Sequence, residues 1–253
     1  VFNTSLNTVA GDGNDVDGVI QFDGGNDIIR VGPKLGTDSS FSPSSNGFGS
    51  VSQITGDVID FDGERCIAGN DTKDINDIFV GDLYGDAENV NQSSGYVSVF
   101  EGGDDRITIT NPNYLNDFPN ITLGDVKNSD ALTFNGGDDT IVFEDSRIAF
   151  SSSNTSLSIV GDADSYNPEA SGFVFQGGND FLSASSMQQD VNVNITGDAV
   201  VVGYGAFDGT IAGGDDTLIG GAGNDSLLGD FAAVSGAGTA TVTVTGGNDF
   251  FDG

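Results

Sequence analysis

Two kinds of glycine–aspartate turn alternate along the whole chain, and this alternation limits the possible folds more than any other feature. One kind reads Gly-Gly-x-Asp and ends at Asp27, Asp105, Asp139, Asp180, Asp216 and Asp249; Ala68-Gly69-Asn70-Asp71 is the same turn with Ala for the first Gly. The other reads Gly-Asp, at Asp12, Asp57, Asp82, Asp125, Asp162, Asp198 and Asp230. Merged, the two series alternate without exception in steps of about 18 residues, so the full unit is about 36 residues, repeated about seven times with inserts.

The flanking residues keep register with the turns. Two places before the first Gly of the longer turn stand Phe22, Cys66, Phe100, Phe134, Phe175, Ile211 and Val244. Two places after its Asp stand Ile29, Ile107, Ile141, Leu182, Leu218 and Phe251, with Lys73 the exception. Before the Gly-Asp turns the column reads Val9, Ile54, Phe79, Ile159, Ile195 and Leu227, with Thr122 the exception. One coil alone cannot bury such an edge, whereas stacked coils share a continuous core. Segments 191–195 and 241–245 alternate with period two and are rich in Val and Thr, which favours strands. No amphipathic helix of useful length is visible. The expected fold is therefore all-β: a single domain over 1–253, a parallel β-roll or β-solenoid, with Gly where a turn needs positive φ. Stretches 31–52, 83–98, 111–120, 147–156 and 163–171 contain all five prolines and read as surface loops.

Net charge is −32, and of the 39 acids five are Glu and 34 are Asp. Only 7 Lys and Arg argue against nucleic acid and an anionic membrane surface. No apolar run reaches the length of a membrane helix. With no His, neither a His-based triad nor a His/Cys zinc site is available. Cys66 alone cannot form an internal disulfide, and in a Phe column it reads as a buried, inert thiol. The chain begins at Val1 without a signal peptide and is read as a mature product or as cut from a longer surface protein. So many carboxylates must be kept apart or neutralised, and bound divalent cations do the latter directly.

Residues 220–228 read Gly-Gly-Ala-Gly-Asn-Asp-Ser-Leu-Leu, and Gly11-Asp-Gly-Asn-Asp15 is a partial copy. This nonapeptide resembles the RTX, or haemolysin-type, calcium-binding repeat. The resemblance implies a parallel β-roll with Ca²⁺ held in the turns between coils. It places a carboxylate ligand first at Asp225, then at Asp216 and the other Gly-Gly-x-Asp aspartates, with Asp15 and Asp77 as further candidates. The spacing here is about twice the family's nine. A coil of 18 or of 36 residues, and ions at one edge or both, stay open. For the Gly-Asp series, a ligand role and a purely structural turn both stand.

The acid pairs Asp104/Asp105, Asp138/Asp139 and Asp215/Asp216 look like glycosidase dyads, but they recur where an active site would be unique, so no enzyme is expected. The expected function is a calcium-dependent extracellular module of a bacterial surface layer, adhesin or filament. It would be secreted unfolded by a type I route, fold on several Ca²⁺ ions and self-associate. A glycan-binding or accessory module, with surface polysaccharide as partner, and an ice-binding solenoid are the alternatives.

Overall fold

A computed structural model of the chain describes residues 6–11, 13–19, 22–31, 50–76, 79–91, 99–110, 121–144, 156–187 and 191–253. Among the described residues, twenty-eight strands form four parallel sheets of seven strands each, and strands adjacent in a sheet are four apart in the chain. Each coil thus contributes one strand to each sheet, as in Asn192–Thr196, Ala199–Tyr204, Gly209–Ala212 and Thr217–Ile219. The sheets are numbered 1 to 4 in that order. Sheet 1 aligns Val9, Ile54, Leu83, Thr122, Ile159, Ile195 and Leu227 as consecutive partners, so a coil is the full two-turn unit.

The Gly-Asp turns join sheet 1 to sheet 2, and the Gly-Gly-x-Asp turns join sheet 3 to sheet 4. The apolar columns divide accordingly. Ile54, Ile107, Ile141, Ile159, Leu182 and Ile195 pack between sheets 1 and 4. Val58, Phe61, Phe100, Phe134, Tyr166 and Phe175 pack between sheets 2 and 3. Cys66 is buried in the second core, and burial pushes its thiol well up. The rings of Phe100, Phe134 and Phe175 stack along the coil axis at centroid spacings of 5.0 and 4.8 Å.

Two expectations need correction. Stretches 83–98 and 163–171 contain the sheet 2 strands Ala87–Asn91 and Ala163–Tyr166. Their inward residues are three apart (Ala87 and Val90, Ala163 and Tyr166), which hides them from a period-two reading. Also, among the described residues only Gly172 and Gly238 have positive φ, and both lie between sheets 2 and 3. The turn glycines serve close approach instead.

Candidate metal centre

The two turn series meet in the interior. Wherever both turns of a coil are among the described residues, the Gly-Asp aspartate reaches across and accepts the second glycine N–H of the Gly-Gly-x-Asp turn. Asp57 accepts from Gly69 (2.7 Å), Asp86 from Gly103 (3.0 Å), Asp125 from Gly137 (3.1 Å), Asp198 from Gly214 (3.0 Å) and Asp230 from Gly247 (2.6 Å). Asp162 makes the same bond to Gly178. These bonds pinch the coil into two lobes, one around each apolar core. Aspartates occupy the waist between the lobes rather than an outer edge.

Along the axis the Gly-Gly-x-Asp aspartates form an unbroken ladder. The N–H groups of Asp27, Asp71, Asp105, Asp139, Asp180 and Asp216 each donate to Oδ1 of the next: Asp71, Asp105, Asp139, Asp180, Asp216 and Asp249. The x residues run an exposed ladder in the opposite direction, where Asp104 N–H donates to Asn70 and Asp138 N–H to Asp104. The acid pairs are therefore one outer ladder residue and one inner residue, which accounts for their recurrence.

With Oδ1 committed from Asp71 onward, Oδ2 points into the waist. Oδ2 of Asp27, Asp139, Asp180 and Asp216 is buried and receives no hydrogen bond, as do Oδ1 of Asp86 and Asp125 and Oδ2 of Asp198. A buried charge without a partner is costly, so each such oxygen requires a proton or a cation. Backbone oxygens converge on the same places. Asp139 Oδ2 and Gly161 O lie 1.7 and 2.0 Å from the point that a Cβ on Gly124 would occupy. Asp180 Oδ2 and Gly197 O stand likewise around Gly161, and Asp216 Oδ2 and Gly229 O around Gly197. Carboxylate oxygens of Asp27, Asp57 and Asp71 lie within 4.8 Å of one another, as do those of Asp71, Asp86 and Asp105, and of Asp125, Asp139 and Asp162.

Burial, followed by neighbouring carboxylates, drives these acids toward the neutral form. Asp105 and Asp216 are raised to about 7, Asp125 to about 8 and Asp198 to about 9. Asp86, Asp139, Asp162 and Asp180 stand well above the usual carboxylate range for the same reason. Lys73 is fully buried; burial opposes its charge, but Asp105, Asp71 and Asp86 outweigh that and hold its ammonium charged.

Most of the expected aspartates lie in the waist; five lie elsewhere or outside the described residues. Asp12 and Asp77 lie outside the described residues, and Asp15 is placed only by its backbone, on the sheet 2 strand Gly13–Val19 opposite Asp60. Asp225 closes the turn between sheets 4 and 1, where its oxygens accept from Gly221 N–H (2.7 Å) and Val193 N–H (2.8 Å). It braces that turn away from the waist. Asp82 falls within the sheet 1 strand Phe79–Tyr84, 3.8 Å from the Lys127 ammonium. The turn of its coil is Gly85-Asp86, because Leu83, not Phe79, pairs with Ile54 and Thr122. Asp86 was thus missed. Two Gly-Asp dipeptides stand four residues apart there, and Leu83 two places before Gly85 was the signal that separates them. No family model matches the chain, and no curated protein or solved structure is significantly similar to it.

Proposed function

We propose that this chain is a calcium-binding structural module of the extracellular face of a bacterial cell, related to the RTX rolls, whose waist takes a row of Ca²⁺ ions and which folds as they bind. The observation that carries this is the row of buried Oδ2 atoms without hydrogen bonds, each facing a glycine carbonyl, repeated at successive coils. Carboxylates and carbonyls are hard oxygen donors, and Ca²⁺ takes six to eight of them with tolerant geometry, whereas Mg²⁺ demands a small regular octahedron. A soft or imidazole-seeking metal finds no ligand in the waist.

Five of the six intervals between successive inner aspartates are sites: Asp27/Asp71 with Gly56 O, Asp105/Asp139 with Gly124 O, Asp139/Asp180 with Gly161 O, Asp180/Asp216 with Gly197 O, and Asp216/Asp249 with Gly229 O. Every ion would bridge two coils, so binding free energy is stacking free energy. Extracellular calcium, in the millimolar range, would favour the fold by mass action, and a low-calcium cytoplasm would oppose it. The test is far-UV circular dichroism during a Ca²⁺ titration from EGTA, with Mg²⁺ as control. A cooperative rise in β signal with Ca²⁺ alone is expected. A complete β spectrum in EGTA, unmoved by Ca²⁺, overturns the reading.

A further inference from the structure

Lys73 breaks an apolar column. Its sheet 4 partners are Ile29 on one side and Ile107 on the other, and the same column continues through Ile141, Leu182 and Leu218. A lysine with no exposed surface at such a position needs a destination for its charge. Its stem follows the apolar column and its ammonium turns into the waist. Nζ donates to Gly85 O at 2.6 Å and stands 3.4 Å from Oδ2 of both Asp71 and Asp105.

Those three oxygens are the counterparts of a set that recurs in every other interval: two successive inner Oδ2 atoms and the carbonyl of the Gly-Asp turn. In the interval after Asp139 they are Asp139 Oδ2, Asp180 Oδ2 and Gly161 O, and there neither Oδ2 receives a hydrogen bond. Oδ2 of Asp71 and Asp105 differ only in that Lys73 reaches them. The point that a Cβ on Gly56 would occupy lies 2.7 Å from Nζ, 1.7 Å from Asp71 Oδ2 and 1.9 Å from Gly85 O. The ammonium is therefore seated where its neighbours leave an oxygen-lined place for a cation.

We infer that Lys73 is a covalently attached substitute for one ion of the row, filling the site between the second and third coils so that no Ca²⁺ enters there. This rests on the calcium reading above and adds to it a defined position. The row is interrupted: one site lies before Lys73 and the remainder after it. The junction of the second and third coils is held by the chain's own charge, so it stays joined at calcium levels that empty the other intervals.

Counting bound ions by native mass spectrometry of the whole chain at saturating Ca²⁺ tests this, with the β signal in Ca²⁺ as a folding control. Lys73→Leu restores the column residue and reopens the site, so it is expected to take up one Ca²⁺ more than the parent. Ile141→Lys puts an ammonium between Asp139 and Asp180 and is expected to take up one fewer; it carries the test by itself if Lys73→Leu does not fold. If the parent binds no calcium, the functional reading has failed and this inference with it. If the parent binds calcium and the folded variants bind the same number, Lys73 is a buried ion pair and nothing more, and this inference alone is overturned.

Discussion

From Asp71 onward, every inner aspartate divides its two oxygens between two tasks. Oδ1 caps the preceding coil's N–H and fixes register; Oδ2 faces the waist. The side chain must be short for both to hold, which is why Asp outnumbers Glu so heavily. Glycine at the facing turn is equally constrained. A Cβ on Gly161 would lie 1.7 Å from Asp180 Oδ2 and 1.9 Å from Gly197 O, and the latter is backbone that cannot swing aside. Gly161→Ala should therefore cost about 3 kcal/mol or more in saturating Ca²⁺, at or above the upper end for an overpacked core. Gly172 is the control. Its φ is 86° with open space around it, so Gly172→Ala should cost only the left-handed penalty, about 1–2 kcal/mol. Equal unfolding midpoints for the two variants would mean that the waist is roomier than these distances say. The glycines are visible in the sequence, but their reason is not: a Gly-Asp dipeptide reads as a bend, and only the neighbouring coil shows that the missing Cβ matters.

The strands were legible to different degrees. Sheets 3 and 4 follow the Gly-Gly-x-Asp turn at fixed offsets, and the columns through Phe134 and Ile141 are buried in register from Cys66 to Ile211 and from Lys73 to Leu218, opening to solvent at Val244 and Phe251 in the last coil. Sheet 2 was partly lost because its inward residues are three apart, as at Val58 and Phe61 or Ala199 and Val202. The waist was illegible for another reason. It is made by bonds such as Gly103 N–H to Asp86, between turns 17 residues apart that are read separately as edges. Since the two lobes have separate cores, damage to one tests its own packing. Phe134 stacks on Phe100 and Phe175 in the lobe of sheets 2 and 3, and it touches none of the inner aspartates' ladder bonds. Phe134→Ala should destabilise the calcium-loaded protein by about 3–5 kcal/mol while leaving the number of bound ions at saturation unchanged. A lost ion in this variant would show that lobe packing and waist geometry are not separable.

The whole molecule carries a net charge of −32, and its most expensive charges are the ones it hides. A waist aspartate in the unfolded chain titrates near its ordinary value of about 4, whereas in the calcium-free fold burial raises Asp105 and Asp216 to about 7, Asp125 to about 8 and Asp198 to about 9. A pKa raised by folding means that the folded state holds the proton more tightly. Its stabilising contribution is complete below the unfolded value and is lost as pH rises through the folded one. The calcium-free chain should therefore melt at a higher temperature at about pH 4 than at about pH 8, and the β signal should be absent or weak at the upper end. Calcium inverts the slope. It competes with protons for the same oxygens, so at saturating Ca²⁺ the melting temperature should rise across that interval, and binding near neutral pH should release protons into the buffer. General surface repulsion would give the calcium-free chain the same trend, but exposed charges are screened over about 3 Å in molar salt and buried ones are screened far less. Melts at pH 4 and pH 8 in 1 M KCl, with and without Ca²⁺, separate the two. If the opposite slopes persist in salt, the waist carboxylates govern stability; if both flatten, the surface does, and the buried row of aspartates is not what calcium neutralises.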